Sequence, residues 1–151
     1  MHKILVSSCL LGEKVRYDGG DSNQNNLLLR KWQEEGRVMT ICPEVASGLS
    51  VPRLPAEILN SKVINSAGID VTLEFHNGAH LALELCKKHK IKFALLKSKS
   101  PSCGNRQIYD GSFSRNLIEG QGITAALLNA NNIQVFNETE IQKLLDLVSD
   151  Y

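Results

Sequence analysis

The sequence predicts an α/β fold: a three-layer Rossmann-like domain with a mostly parallel sheet of about four to five strands. Three observations predict it. Short runs of branched apolar residues alternate with longer amphipathic stretches, the order that gives parallel pairing through helical crossovers. The longer stretches repeat their apolar residues every three or four positions. Between them fall glycine, proline and polar clusters suited to turns. With 151 residues, 42% hydrophobic and 22% charged, the chain is expected to form a single domain, residues 1–151.

Lys3 to Ser7 reads as a short buried strand of Ile, Leu and Val. From Cys9 to Gly20 the chain turns irregular, with Gly12, Gly19 and Gly20 in it. Asn26 to Gly36 reads as a helix, with Leu27, Leu28, Lys31 and Trp32 on a partly apolar face and Gly36 as its stop. Val38 to Ile41 is the second strand, and Cys42-Pro43-Glu44 ends it because Pro43 lacks the N–H a ladder needs. Ala46 to Glu57 is expected to be a long loop, followed by a polar connection with a short strand at Lys62 to Ile64. Asp70 is the expected N-cap of the most clearly patterned helix, where Phe75, Ala79, Ala82 and Cys86 share one face. Ile91 to Leu96 is the third strand. Lys97 to Gly120 is expected to be a long polar loop, of the kind that carries function. Gly122 to Asn131 reads as a helix and Ile133 to Phe136 as the fourth strand. Asn137-Glu138-Thr139-Glu140 resembles a capping box, opening a last helix with Ile141, Leu144, Leu145 and Val148 inward.

Seventeen basic residues against sixteen acidic ones, and a pI near 7.7, give no electrostatic case for nucleic acid. The N-terminal apolar run is too short for a signal peptide, and no stretch approaches the ~18 apolar residues of a membrane span. The expectation is a cytoplasmic protein, a monomer or weak homodimer, with neither membrane nor nucleic-acid partners. Thiols stay reduced in that compartment, so the four cysteines point to metal, catalysis or core filling before disulfides.

Three of those cysteines share a placement. Cys9 follows the first strand, Cys42 the second, and Cys103 lies in Lys99-Ser100-Pro101-Ser102-Cys103-Gly104 after the third. Ligands in parallel sheets sit beyond the carboxyl ends of the strands, the edge to which all three belong. Thiolates suit iron–sulfur clusters and zinc, and no C-x-x-C pair of the kind structural zinc sites use is present. Three thiols can instead hold a 4Fe-4S cluster with no local spacing, leaving one iron open. On the residues alone, a shared site and a coincidence of core cysteines stand level. Cys86, on an apolar helix face, is read as core packing. Glu44 has the alternative of a helix cap, Ser100 of a turn hydroxyl, and Arg16, Arg53 and Arg106 of surface ion pairs. His76 and His80 are read as a solvated helix face rather than a metal pair.

Taken together, these stretches resemble the thiouracil desulfidase family. The resemblance is carried by Val6-Ser7-Ser8-Cys9-Leu10-Leu11-Gly12, Val15-Arg16-Tyr17-Asp18-Gly19-Gly20, Cys42-Pro43-Glu44-Val45, Pro52-Arg53, the Lys99 to Gly104 segment, Ile108-Tyr109-Asp110-Gly111 and Ile123-Thr124-Ala125-Ala126-Leu127. One departure is Ser47, where the family pattern has glycine before Gly48. The resemblance implies a 4Fe-4S cluster on Cys9, Cys42 and Cys103, and non-redox hydrolysis of a thiolated pyrimidine's C=S to C=O with release of sulfide. It places the catalytic carboxylate at Glu44 and the catalytic hydroxyl at Ser100; on the residues alone, the Ser102 hydroxyl is a close competitor for that role. Asp18, Arg53, Ser102 and Tyr109 are the expected substrate-orienting residues. A thiocarbonyl sulfur is soft and suits an open iron acting as Lewis acid, while Glu44 suits general-base activation of water. Two other classes remain in view: a metal-free cysteine hydrolase using Cys9 or Cys103, and a non-enzymatic iron–sulfur or redox sensor.

Overall fold

The computed structural model describes residues 2–149. Four parallel strands form the central sheet: β1 (Ile4–Ser7), β2 (Val38–Ile41), β5 (Phe93–Leu96) and β8 (Gln134–Asn137), in the order β2-β1-β5-β8. Leu5 pairs with Met39 on one side and Ala94 on the other, and Leu95 pairs with Phe136. All four residues of β1 and of β5 are buried, as expected of strands covered on both faces.

Alternation along the strands sends side chains into two cores. Ile4, Val6, Phe93 and Leu95 meet Leu29 and Trp32 of α1 (Leu27–Glu34) and Leu144, Leu145 and Val148 of α5 (Ile141–Ser149). Leu5, Ala94 and Leu96 meet Ala82, Leu83 and Cys86 of α3 (Thr72–His89) and Ala125 and Leu128 of α4 (Ile123–Ala130). The three-layer α/β architecture is the expected one. Chain direction reverses around β1: α1 carries it outward to β2, and α3 brings it back across to β5. A crevice therefore opens where β1 and β5 end.

Local chemistry places several boundaries. Asn26 caps α1 through its side chain on the Leu29 N–H, and Gly36 takes the left-handed backbone that follows the helix (φ 73°). Asn137 and Glu140 form the reciprocal capping box before α5. Cys86 is 1% exposed in the core, in keeping with its reading as packing.

Other expectations are corrected. The inward residues of α1 are Leu29 and Trp32, whereas Leu27 and Leu28 face solvent. The N-cap of α3 is Val71 rather than Asp70; Asp70 Oδ1 instead accepts the Thr72 N–H at 2.8 Å, one residue early. The Ala46 to Glu57 loop is flanked by a four-residue helix, α2 (Pro43–Ala46), and enters β3 (Ala56–Leu59). That strand pairs with β4 (Lys62–Asn65) through a two-residue turn, Asn60-Ser61, both left-handed. The Lys97 to Gly120 segment is not structureless: it holds a second antiparallel ribbon, β6 (Gln107–Tyr109) and β7 (Leu117–Glu119). Ser47, where the resemblance leads to the expectation of glycine, has φ −79°, which any residue adopts, and its hydroxyl donates to the Glu44 carbonyl at 2.7 Å. Among the described residues, no helix is long and apolar enough to cross a membrane.

Candidate active site

Each of the three sheet-edge cysteines leaves its strand in a tightly seated turn. Cys9 lies in a 3-10 turn, Ser8–Leu11, directly after β1, and its carbonyl accepts the Ser22 N–H at 2.8 Å. Cys42 is the N-cap residue of α2, with Pro43 pre-set for the first helical position. That short helix crosses α3 at Gly78, where a Cβ would stand 2.2 Å from the Pro43 carbonyl oxygen. Only glycine lets the two backbones approach so closely. Around Cys103, the Ser100 hydroxyl oxygen accepts the N–H groups of Ser102 and Cys103, both at 3.0 Å. The first turn of α4 then donates back: Ile123 N–H to the Pro101 carbonyl at 2.9 Å and Thr124 N–H to that of Ser102 at 2.8 Å.

These turns surround one cavity of about 410 Å³, lined by Cys9, Cys42 and Cys103 and by Glu44, Arg53, Ser100 and Tyr109. Seven of the nine expected site residues are thus brought together. Two are not. Ser102 is fully buried beneath the loop, its hydroxyl paired with that of Thr124 at 2.8 Å, so of the two candidate serines it is Ser100 that lines the cavity. Asp18 lies outside the lining, exposed, accepting the Gly20 N–H at 2.9 Å and facing Arg16 at 3.5 Å.

Electrostatics separates the groups. Burial pushes the Cys9 thiol up to about 11 and Cys103 up to about 12, and the neighbouring Cys42 adds to both shifts. Cys42 is itself raised, again chiefly by burial. Burial also raises the Glu44 carboxyl, with the Arg53 guanidinium pulling it back. Arg53 Nε donates to Glu44 Oε1 at 3.2 Å, while its two terminal nitrogens hold the carbonyls of Ser50 and Val15, both at 3.1 Å. Among the described residues no protein donor takes Glu44 Oε2. The carboxylate is therefore oriented by one oxygen and open at the other.

A family model, 2-thiouracil desulfurase, matches residues 4–140 of the chain. The chain belongs to the 2-thiouracil desulfurase family. It is 38% identical over 152 residues to the uncharacterized protein YbbK of Bacillus subtilis (strain 168), covering 94% of this chain and 99% of that one. It is also similar to the solved structure of TudS, a 4Fe-4S-dependent thiouracil desulfidase, with 47% identity, a TM-score of 0.98 and full coverage of both chains.

For a member of this family, the donor set can be tested against an iron–sulfur cluster. Three thiols and no histidine line the cavity, the soft donors such clusters take. Among the described residues no three His, Cys, Asp or Glu side chains gather closely enough for a single metal ion. Cys42 acts electrostatically on both Cys9 and Cys103, so the three thiols are neighbours on one cavity, a donor set that suits a polynuclear group. The residues fit.

The cavity also holds residues that sequence reasoning passed over. Lys97, first beyond β5, lines the cavity, and its charge favours the Cys9 thiolate. Its ammonium is held by Glu138 Oε2 at 2.9 Å, and the same carboxylate takes the Ser98 N–H at 2.7 Å. A lysine abutting an all-apolar strand at the ligand edge was the available signal. Glu57, Phe113 and Arg115 also line the cavity, contributed by the two ribbons. No periodicity in the sequence marked them.

Proposed function

We propose that this protein is a desulfidase that hydrolyses the C=S of a thiolated pyrimidine such as thiouracil to C=O, releasing sulfide without net redox change. The observation that carries the reading is the convergence of Cys9, Cys42 and Cys103 on the cavity that also holds Glu44 and Ser100. The family and the full-length likeness to TudS support it. Cys9, Cys42 and Cys103 would hold a 4Fe-4S cluster, which when bound supplies a soft Lewis acid for the thiocarbonyl sulfur.

Glu44 is the general base. Burial makes its carboxylate more basic than an exposed one, and Arg53 fixes Oε1 so that Oε2 is left to take a proton from water. The water oxygen then bonds to the ring carbon as the C=S π bond opens; the C–S bond breaks as C=O forms, and sulfur leaves as sulfide, taking up the proton that Glu44 held. Ser100 is the hydrogen-bond donor. Both N–H bonds it accepts occupy its oxygen, which leaves its own O–H to stabilise the charge that develops beside that carbon. Arg53 and Tyr109 orient the heterocycle at the cavity's edge. The seated turns hold all these groups before substrate arrives, so little ordering entropy is lost on binding.

The metal-free hydrolase reading finds no support in this geometry. Thiols held at about 11 and about 12 carry little thiolate at neutral pH, and no histidine lines the cavity to deprotonate them. A sensor would have no use for a base and a hydroxyl facing the same space. The test is purification without oxygen followed by sulfide release from 2-thiouracil and 4-thiouracil. Brown protein that releases stoichiometric sulfide is expected; colourless protein with full turnover would refute the reading.

A further inference from the structure

Phe113 and Arg115 reach the cavity from the tip of the β6–β7 ribbon, and the backbone there is unusual. Gly111, Phe113 and Arg115 all take left-handed conformations, with φ of 94°, 57° and 64°. Two of these are bulky non-glycine residues, for which such a backbone is strained and persists only where neighbours enforce it. The enforcing group is the Glu57 carboxylate. Glu57 Oε1, from β3 of the other ribbon, accepts the Gly111 N–H at 3.0 Å and the Phe113 N–H at 3.2 Å. Asp110 Oδ1 adds the Ser112 N–H at 2.9 Å. At Gly111 a Cβ would stand 2.8 Å from Leu59 Cβ, so the tip is pressed against the first ribbon.

The product of this strain is an aromatic ring, 39% exposed, on the cavity wall. An exposed phenylalanine at a strained position, on a tip that two N–H groups tie to Glu57, has no core to fill. We propose that Phe113 is a specificity-determining residue whose ring covers one face of the bound heterocycle, and that Glu57 is the positioning residue that holds it there. The inference rests on the desulfidase reading and narrows it. Stacking rewards a flat, unsaturated ring, so the substrates are planar thiocarbonyl heterocycles rather than saturated or aliphatic thiocarbonyls.

Phe113→Leu keeps apolar bulk and removes the ring face, whereas Phe113→Tyr keeps the face. Each is compared with wild-type holoprotein on 2-thiouracil and on its puckered 5,6-dihydro analogue. The Leu variant is expected to raise KM for 2-thiouracil about 5- to 100-fold, the range for stacking a base on an aromatic side chain. Its preference for the planar over the puckered substrate should shrink by a similar factor, with the Tyr variant within about twofold of wild type. Glu57→Ala should mimic the Leu variant in KM and speed amide hydrogen exchange at Gly111 and Phe113, and Glu57→Gln, whose carboxamide oxygen can accept the same N–H groups, should restore both. Uracil binding by calorimetry reads the same variants without turnover. An active wild type whose Leu variant keeps its KM and its preference, or whose Glu57→Ala leaves exchange unchanged, overturns the inference alone. A wild type that neither releases sulfide nor binds either pyrimidine overturns the desulfidase reading and this inference with it.

Discussion

The floor of the cavity, where Cys9, Cys42 and Cys103 sit, is seated on sheet and helices mainly by backbone contacts, with the Ser100 hydroxyl joining them at Cys103, whereas the tip carrying Phe113 and Arg115 is tied to the neighbouring ribbon by a side chain, Glu57. On the floor, α4 donates to the Cys103 loop through consecutive N–H groups, and α2 meets α3 backbone to backbone at Gly78. A carboxylate is easier to exchange for another residue than a crossing of two helices. The difference teaches a division of labour: the floor fixes groups that must meet one geometry for the chemistry, while the wall can change with the ring it covers.

The sharpest challenge to that division is Glu44→Gln. A floor built for chemistry should lose about 100- to 10,000-fold in turnover when its base is removed. Cluster absorbance should stay intact, because the carboxylate is not among the thiol donors. Stopped-flow sulfide release against visible absorbance separates the two effects.

Next in size is Gly78→Ala. In a helix interior that change alone favours the fold by about 1 kcal/mol. Here the new Cβ would meet the Pro43 carbonyl at 2.2 Å, and overpacking of this kind costs about 1–3 kcal/mol. The expected sign is therefore destabilisation in urea melts, with turnover down by as much as about 100-fold as α2 carries Cys42 and Glu44 out of line. A stabilised, fully active variant would show that the floor is not rigid at this crossing.

The smallest effect concerns Glu138. Burial alone would raise its carboxyl, but Lys97 and the Ser98 N–H outweigh it and hold the group below the usual carboxylate range. A lowered folded value means the native state binds fewer protons than the unfolded one, so the contribution is present above the ordinary value of about 4.3 and lost as pH falls through the lower one. Glu138→Gln should cost about 1–2 kcal/mol at neutral pH. The difference from wild type should close below that window, which chemical melts across pH 3–7 (an approximate span about the ordinary value) would follow. A gap that persists at the acid end would assign the effect to packing.

Legibility in the sequence followed the range of the forces involved. The strand Val38–Ile41 ends where Pro43 removes its N–H, and the Asn137–Glu140 capping box is a local reciprocal pair; both could be read directly. The edge cysteines were legible because a parallel sheet puts the ends of β1, β2 and β5 at one rim. The β6–β7 ribbon was not, since Gln107-Ile108-Tyr109 and Leu117-Ile118-Glu119 are too short to display alternation. The Glu57 tether joins residues 54 apart, and the Ser98–Glu138 bond spans 40. No local pattern encodes such partners. Asp18 drew attention through its motif, yet its carboxylate is used on Gly20 within the same turn.

Iron and acid-labile sulfide counts on anaerobically purified single alanine variants of Cys9, Cys42, Cys86 and Cys103 test the shared-cluster claim most directly. About four irons per chain are expected in wild type and in the buried core variant Cys86→Ala. Cys9→Ala, Cys42→Ala and Cys103→Ala should each lose most of that iron and its brown colour. Full iron in any of those three would contradict a cluster shared by all of them.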